Sequence, residues 1–234
     1  MGEAPLRFTY MFILGDGRKK EFSVELDAET LNQIRPADDG PPEWTALDFH
    51  RCENCPLDPL KHSHCPAALS MVEVVDFFHD DMSYDESDVY IEAPSRNYSR
   101  HISLQEGISS LVGLLMATSG CPHLERLKPM ARFHLPFADD YETIYRILSM
   151  YLMAQYFISR GGGEPDWEMK NLVGLYDGIR KVNRHFVQRL TNIRVRDASL
   201  NALVKLDCFA MSVEFTINQG LVDDYRHLFE PFLG

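Results

Sequence analysis

The chain has 234 residues, 45% of them hydrophobic and 25% charged, with 35 acidic against 23 basic side chains and a formal charge of −12. This is the composition of a soluble globular protein with one large domain or two small ones; it argues against disorder, and an acidic surface argues against general nucleic-acid binding, which needs concentrated Lys and Arg. The longest strongly apolar stretch, 147–158, falls short of the roughly 20 residues a membrane helix needs and is interrupted or flanked by Arg146, Gln155 and Arg160, so no membrane span is expected.

At the N-terminus Glu3 precedes a brief apolar run with no basic region and no small-residue cleavage site, so it does not read as a signal peptide and a cytoplasmic location is expected. Residues 6–14 and 20–26, rich in Phe, Tyr, Ile and Val and separated by Gly15-Asp16-Gly17, form a hairpin pattern. Asp27 is placed to cap a short helix through 34, residues 35–43 form a Pro- and Gly-rich loop, and 44–50 suits a short strand. Pro66 then opens a helix over 66–78, with Cys65 at its N-cap. A second hairpin, 87–93 and 97–102, extends the first into a small antiparallel sheet.

From Ser103 onward the pattern is helical. Ser103 and Glu106 have capping-box spacing, and a helix runs from there to Gly120. Asp139 or Asp140 caps a long helix with Tyr141, Ile144, Tyr145, Leu148, Leu152 and Tyr156 as its stripe, ended by Gly161-Gly162-Gly163. Asp166 caps the next, with Leu172, Leu175 or Tyr176, Ile179, Val182, Phe186 and Leu190 inward. Asp197 or Ser199 opens another, with Leu203, Leu206, Ala210, Val213 and Ile217 inward, and 221–229 makes a short last helix. The fold class is α+β: residues 1–102 form a small antiparallel sheet with a metal-binding loop, and 103–234 form an antiparallel helical bundle.

The chemistry concentrates in the cysteines. Cys52-x-x-Cys55 is followed by His62, His64 and Cys65, and Cys121 stands in Ser119-Gly120-Cys121-Pro122-His123. In a reducing compartment such a set is more often a metal or redox group than a disulfide framework. Cys208, inside a helical pattern, reads as a small buried hydrophobe, which leaves four cysteines for one site. The expected ligands are Cys52, Cys55, Cys65 and Cys121, with His64, His62, His123 or His50 as substitutes in a Cys3His set. Cys65 and Cys121 would both sit at helix starts, where free backbone amides and the helix dipole favour a thiolate. Cys121 would also tie the helical part to the sheet.

Four thiolates suit a structural zinc, ranked first, and also a [4Fe-4S] cluster, for which proline after Cys55, Cys65 and Cys121 is a feature shared with bacterial ferredoxins. Neither family spacing is met. A closed all-cysteine set points away from catalysis; the thioredoxin and deaminase patterns, a phosphate loop, a serine elbow and paired catalytic carboxylates are missing. Three further features remain. His79-Asp80-Asp81 reads as a helix end with solvated acids. Residues 132–137, with His134, read as a packed connector or the lining of a pocket near Cys121. Between 76 and 92 stand seven acids and no base, while Arg180, Lys181, Arg184, Arg189, Arg194 and Arg196 have no acid among them. These read as a solvated acidic loop and a solvated helix face, opposed across a domain boundary, or as an anion or partner patch.

The segments Arg51–Leu57, Cys65–Leu69, Ser119–His123 and Arg132–Phe137 resemble those of an uncharacterised bacterial family over about residues 44–160. That resemblance implies no reaction. The residues themselves point to a metal-binding protein with a mainly structural zinc site and an interaction or regulatory role with a protein partner. A [4Fe-4S] redox or sensor protein is the alternative. An enzyme with a pocket at the junction of the two parts, using His123 and His134 for acid-base work, is the second.

Overall fold

The computed structural model describes residues 3–35, 40–193 and 195–233. Strands β1 (Leu6–Leu14) and β2 (Lys19–Leu26) pair antiparallel with Leu6 opposite Leu26, as the alternating pattern requires. Phe8, Tyr10, Phe12 and Leu14 of β1 and Phe22, Val24 and Leu26 of β2 are buried on one face. Strands β3 (Glu86–Ala93) and β4 (Arg96–Ser103) form the second hairpin, β3 joins β1, and the antiparallel sheet has the order β2-β1-β3-β4.

Helices α1 (Pro66–Phe77) and α2 (Leu104–Thr118) contact each other, and α2 packs on the sheet. The approach is close at Gly107: a Cβ there would stand 2.9 Å from Phe12 Cε1 and 3.0 Å from Val89 Cγ2. Beyond α2 come α3 (Lys128–Arg132), α4 (Asp140–Arg160), α5 (Lys170–Thr191), α6 (Asp197–Asn218), a 3-10 segment (Leu221–Phe229) and α7 (Glu230–Leu233). Helix α6 lies against α5 and α2, with a smaller contact to α4. One cluster of buried side chains runs from Phe8 of the sheet to Tyr225. Among the described residues no helix is long and apolar enough to cross a membrane.

Several local expectations are corrected. Residues 27–34 form a turn rather than a helix: the Asp27 carboxylate accepts from the backbone N–H of Glu29 and Thr30, Leu31 adopts φ +56°, and Gln33 bridges back to Leu26. Residues 44–50 are a 3-10 turn (Glu43–Thr45) and further turns rather than a strand; only Ala46 makes a bridge, to His64. Part of the 35–43 loop, residues 36–39, and Arg194 of the basic run lie outside the described residues. Ser103 caps α2 without a bond to its backbone; its hydroxyl donates to Glu106 instead.

The capping box at Asp139 and Glu142 opens α4, but the buried stripe is Ile144, Ile147, Leu148, Tyr151 and Gln155. Tyr141 and Tyr145 face out, against Tyr225 and Phe229 of the terminal 3-10 segment. Cys208 is exposed, because the inward face of α6 carries Leu203, Ala210 and Val213. Asp81 is not solvated but buried, in an ion pair with Arg18. The basic run is answered elsewhere than by the 76–92 acids: Arg180 pairs with Asp207 and Glu214 and Arg184 with Asp207, all on α6, while Lys181 pairs with Asp177 and Glu53.

Candidate functional site

The segment carrying the first cysteines is pinned at its neck, where Leu47 N donates to Ser63 O at 2.9 Å and Cys65 N to Thr45 O at 2.8 Å. Inside it Cys55 N donates to Cys52 O at 3.0 Å, turning both side chains of the Cys-x-x-Cys to one side, and Arg51 donates to the carbonyls of Cys55 and Leu57. Cys65 is the N-cap of α1 in extended conformation, followed by Pro66, and its sulfur makes no capping bond. Cys121 follows Gly120, whose φ of +92° ends the preceding helix. The backbone N–H groups of His123 and Leu124 point to the Cys121 sulfur. They belong to a turn that leads into a 3-10 segment (Glu125–Leu127), so only Cys65 of the two stands at an α-helix start.

These three segments bring Cys52, Cys55, Cys65 and Cys121 to the wall of one cavity of about 20 Å3, together with His50, His123 and, from α5, Val182, Phe186 and Arg189. Neither His62, which is exposed, nor His64, whose Nδ1 meets Ser63 Oγ at 2.8 Å, lines it. His123 donates from Nε2 to the Asn54 carbonyl at 2.6 Å, and the Asn54 amide donates to Gly178 O, so the loop, the Cys121 turn and α5 are locked together. Among the described residues no group of three or more His, Cys, Asp or Glu side chains is arranged to hold a metal ion as it stands. The thiols are gathered round a common space without being closed on a common point.

Burial, followed by the neighbouring thiols, pushes the Cys52 thiol up to about 12; burial pushes Cys121 to about 11, against the pull of the two backbone N–H groups. Both are protonated at neutral pH. Beside them Arg189, 2% exposed, donates to the carbonyls of Trp44 and Ala46, and its charge favours thiolate at Cys52. Desolvation lowers the affinity of this guanidinium for its proton, and the thiols oppose that shift. Arg189 was legible only as one charge in a basic run; that it occupies the i+7 position from Val182, on the inward face, is the signal that would have found it.

The same helix borders a second, larger cavity of about 390 Å3, open to solvent on one side and lined by β4, α2, the 124–140 segment, α4, α5 and α6. Tyr176, Ile179 and Asn183 of α5 face it, and so does His134. The connector therefore does line a pocket, with Leu124 and Leu127 of the segment just after Cys121 in the same wall. Tyr10 is hydrogen-bonded to His134 Nε2, and desolvation, then the nearby Arg146, pushes the imidazole down to about 3. His134 is thus neutral at physiological pH and poorly suited to accept a proton; His123 lies in the other cavity.

A family model described as a domain of unknown function, DUF6901, matches residues 8–230, well beyond the 44–160 span of the motif resemblance. No curated protein and no solved structure matches the chain.

Proposed function

The chain belongs to the DUF6901 family, and we propose that in it Cys52, Cys55, Cys65 and Cys121 bind one zinc ion as a structural centre. The observation that carries this is their convergence, from a loop, a helix start and a distant turn, on a single cavity. All-cysteine donor sets are closed and favour soft or borderline metals. A space of about 20 Å3 is room for one water-sized body, which favours a single ion over a four-iron cluster. Arg189 offsets part of the negative charge that four thiolates bring. Binding draws the thiols inward and releases their protons, and the result is a staple between the 47–63 loop, the start of α1 and the Cys121 turn rather than a catalytic site. Chemistry or partner recognition then belongs to another part of the molecule.

Metal analysis of protein purified without added chelator should give one zinc per chain, lost in both Cys65→Ser and Cys121→Ser. Retention of zinc by both variants would remove the four-ligand reading. A brown anaerobic preparation containing iron and acid-labile sulfide would replace zinc with the cluster.

A further inference from the structure

The larger cavity holds polar groups that the fold leaves unused. Ser109, Tyr176 and Asn183 are all at least nine-tenths buried and line it, yet none of their side chains makes a hydrogen bond within the described protein. Their polar atoms are not among the fully buried ones left without a partner, so they open onto the cavity, where an occupant can satisfy them. His134 adds a fourth group, since Tyr10 occupies only Nε2.

Arg146 fixes the charge of what would satisfy them. Its Nη2 donates to the carbonyls of Met130 and Phe133 at 3.0 and 2.8 Å, it forms no ion pair with any carboxylate among the described residues, and it lines the cavity with Nε and Nη1 uncommitted to any protein acceptor there. It lies close enough to Tyr176 and His134 for its charge to act on both. Of the other charged groups on the wall, Lys205 is paired with Glu106, Asp139 is held in the capping box of α4, Asp140 is exposed in the first turn of that helix, and Arg100, exposed on β4, donates to the Phe137 carbonyl. The cavity is otherwise apolar, with walls from Leu114, Ile147, Ile179 and Leu206.

We propose that this cavity is a binding site for a small amphipathic carboxylate, whose acid group meets Arg146 and hydrogen-bonds Tyr176 and Asn183 while its hydrocarbon part lies on the apolar walls. A volume of about 390 Å3 falls in the range of small-molecule sites. A charge-assisted contact to arginine supplies the preference for an acid over an alcohol of equal length. This assignment is independent of the metal centre and needs no closure of the thiols.

The test is calorimetric titration of the intact protein with octanoate and with 1-octanol. Octanoate should bind one per chain and at least about tenfold more tightly than octanol, the ratio that one charge-assisted hydrogen bond supplies. Arg146→Met should abolish the preference while octanol still binds. Gly113→Leu, where the added Cβ has ordinary 3.7 Å contact with Leu206 and the rest of the side chain enters the space, should abolish both with the circular dichroism spectrum unchanged. If Arg146→Met does not fold, Asn183→Leu carries the same test, and a lowered octanoate affinity supports the site. Equal binding of acid and alcohol overturns the proposal, as does failure of both to bind at millimolar concentration or octanoate binding that survives Gly113→Leu.

Discussion

The two cavities beside α5 divide the same helix differently. In the small one most of the polar groups around the thiols are committed, Arg189 to Trp44 and Ala46, the Asn54 amide N–H to Gly178 and His123 to Asn54, and Asn54 Oδ1 is left without a partner among the described residues. In the large one the polar side chains of Tyr176, Asn183 and Ser109 are unpartnered. The contrast separates groups that hold a structure from groups kept ready for something else. Residues three and four apart thus form two series on one helix that serve different ends, Val182, Phe186 and Arg189 on one side and Tyr176, Ile179 and Asn183 on the other.

The sharpest break in that comparison comes from substituting one committed and one uncommitted group. Arg189→Met should destabilise the protein by about 3 kcal/mol in urea unfolding, because two buried carbonyls lose a charged donor. Asn183→Leu should cost less than about 1 kcal/mol or stabilise, since no bond is lost and a buried amide is removed. Similar losses in both would erase the distinction.

The thiol cavity should also show the steeper pH response. Cys52 and Cys121 hold their protons well above neutral pH, so zinc binding releases at least these two. The apparent zinc association constant, measured by competition with a chromophoric chelator, should therefore fall by about two log units or more for each unit the pH is lowered near neutrality. A slope near zero would mean that these sulfurs are not ligands.

At the larger cavity the titration is that of His134. The unfolded imidazole takes up a proton near pH 6.5, whereas the folded one resists until about 3, so between these values the unfolded state binds more protons. Unfolding free energy should fall as pH is lowered through that window, by up to about 1.4 kcal/mol per pH unit, and His134→Gln should flatten that contribution. The smallest effect is expected from His62→Ala and His64→Ala. Both lie off the thiol cavity and should leave zinc content unchanged.

The sheet was legible in the sequence because Phe8, Tyr10, Phe12 and Leu14 alternate, and one buried face allows only one register. The cysteine group was legible for another reason: spacing and surrounding prolines marked those residues as unsuited to ordinary core positions. The choice among candidate histidines was not, because it depends on which loops share a wall, and His50 and His123 do while His62 and His64 do not. On α4, Tyr141 and Tyr145 looked inward because aromatic residues usually are, but the segment that covers them lies about eighty residues further on. The large cavity leaves no periodic trace at all. It is a cavity defined by six separate pieces of chain, and a hydrophobic stripe reads the same whether or not its neighbours meet it.

The placement of Cys121 has a kinetic consequence. Nine residues separate Cys55 from Cys65, but fifty-five separate Cys65 from Cys121, and that interval includes α1, a hairpin and α2. Closing the longer interval in a flexible chain spans between two and three doublings of length, about 1.5 kcal/mol of extra entropy, so the first three thiols can meet an ion early while the fourth arrives only after α2 has docked against Phe12 and Val89 through Gly107. On the zinc reading, metal added during refolding passes through a three-thiolate stage with an open coordination position. The last ligand then reports that the sheet and α2 have assembled.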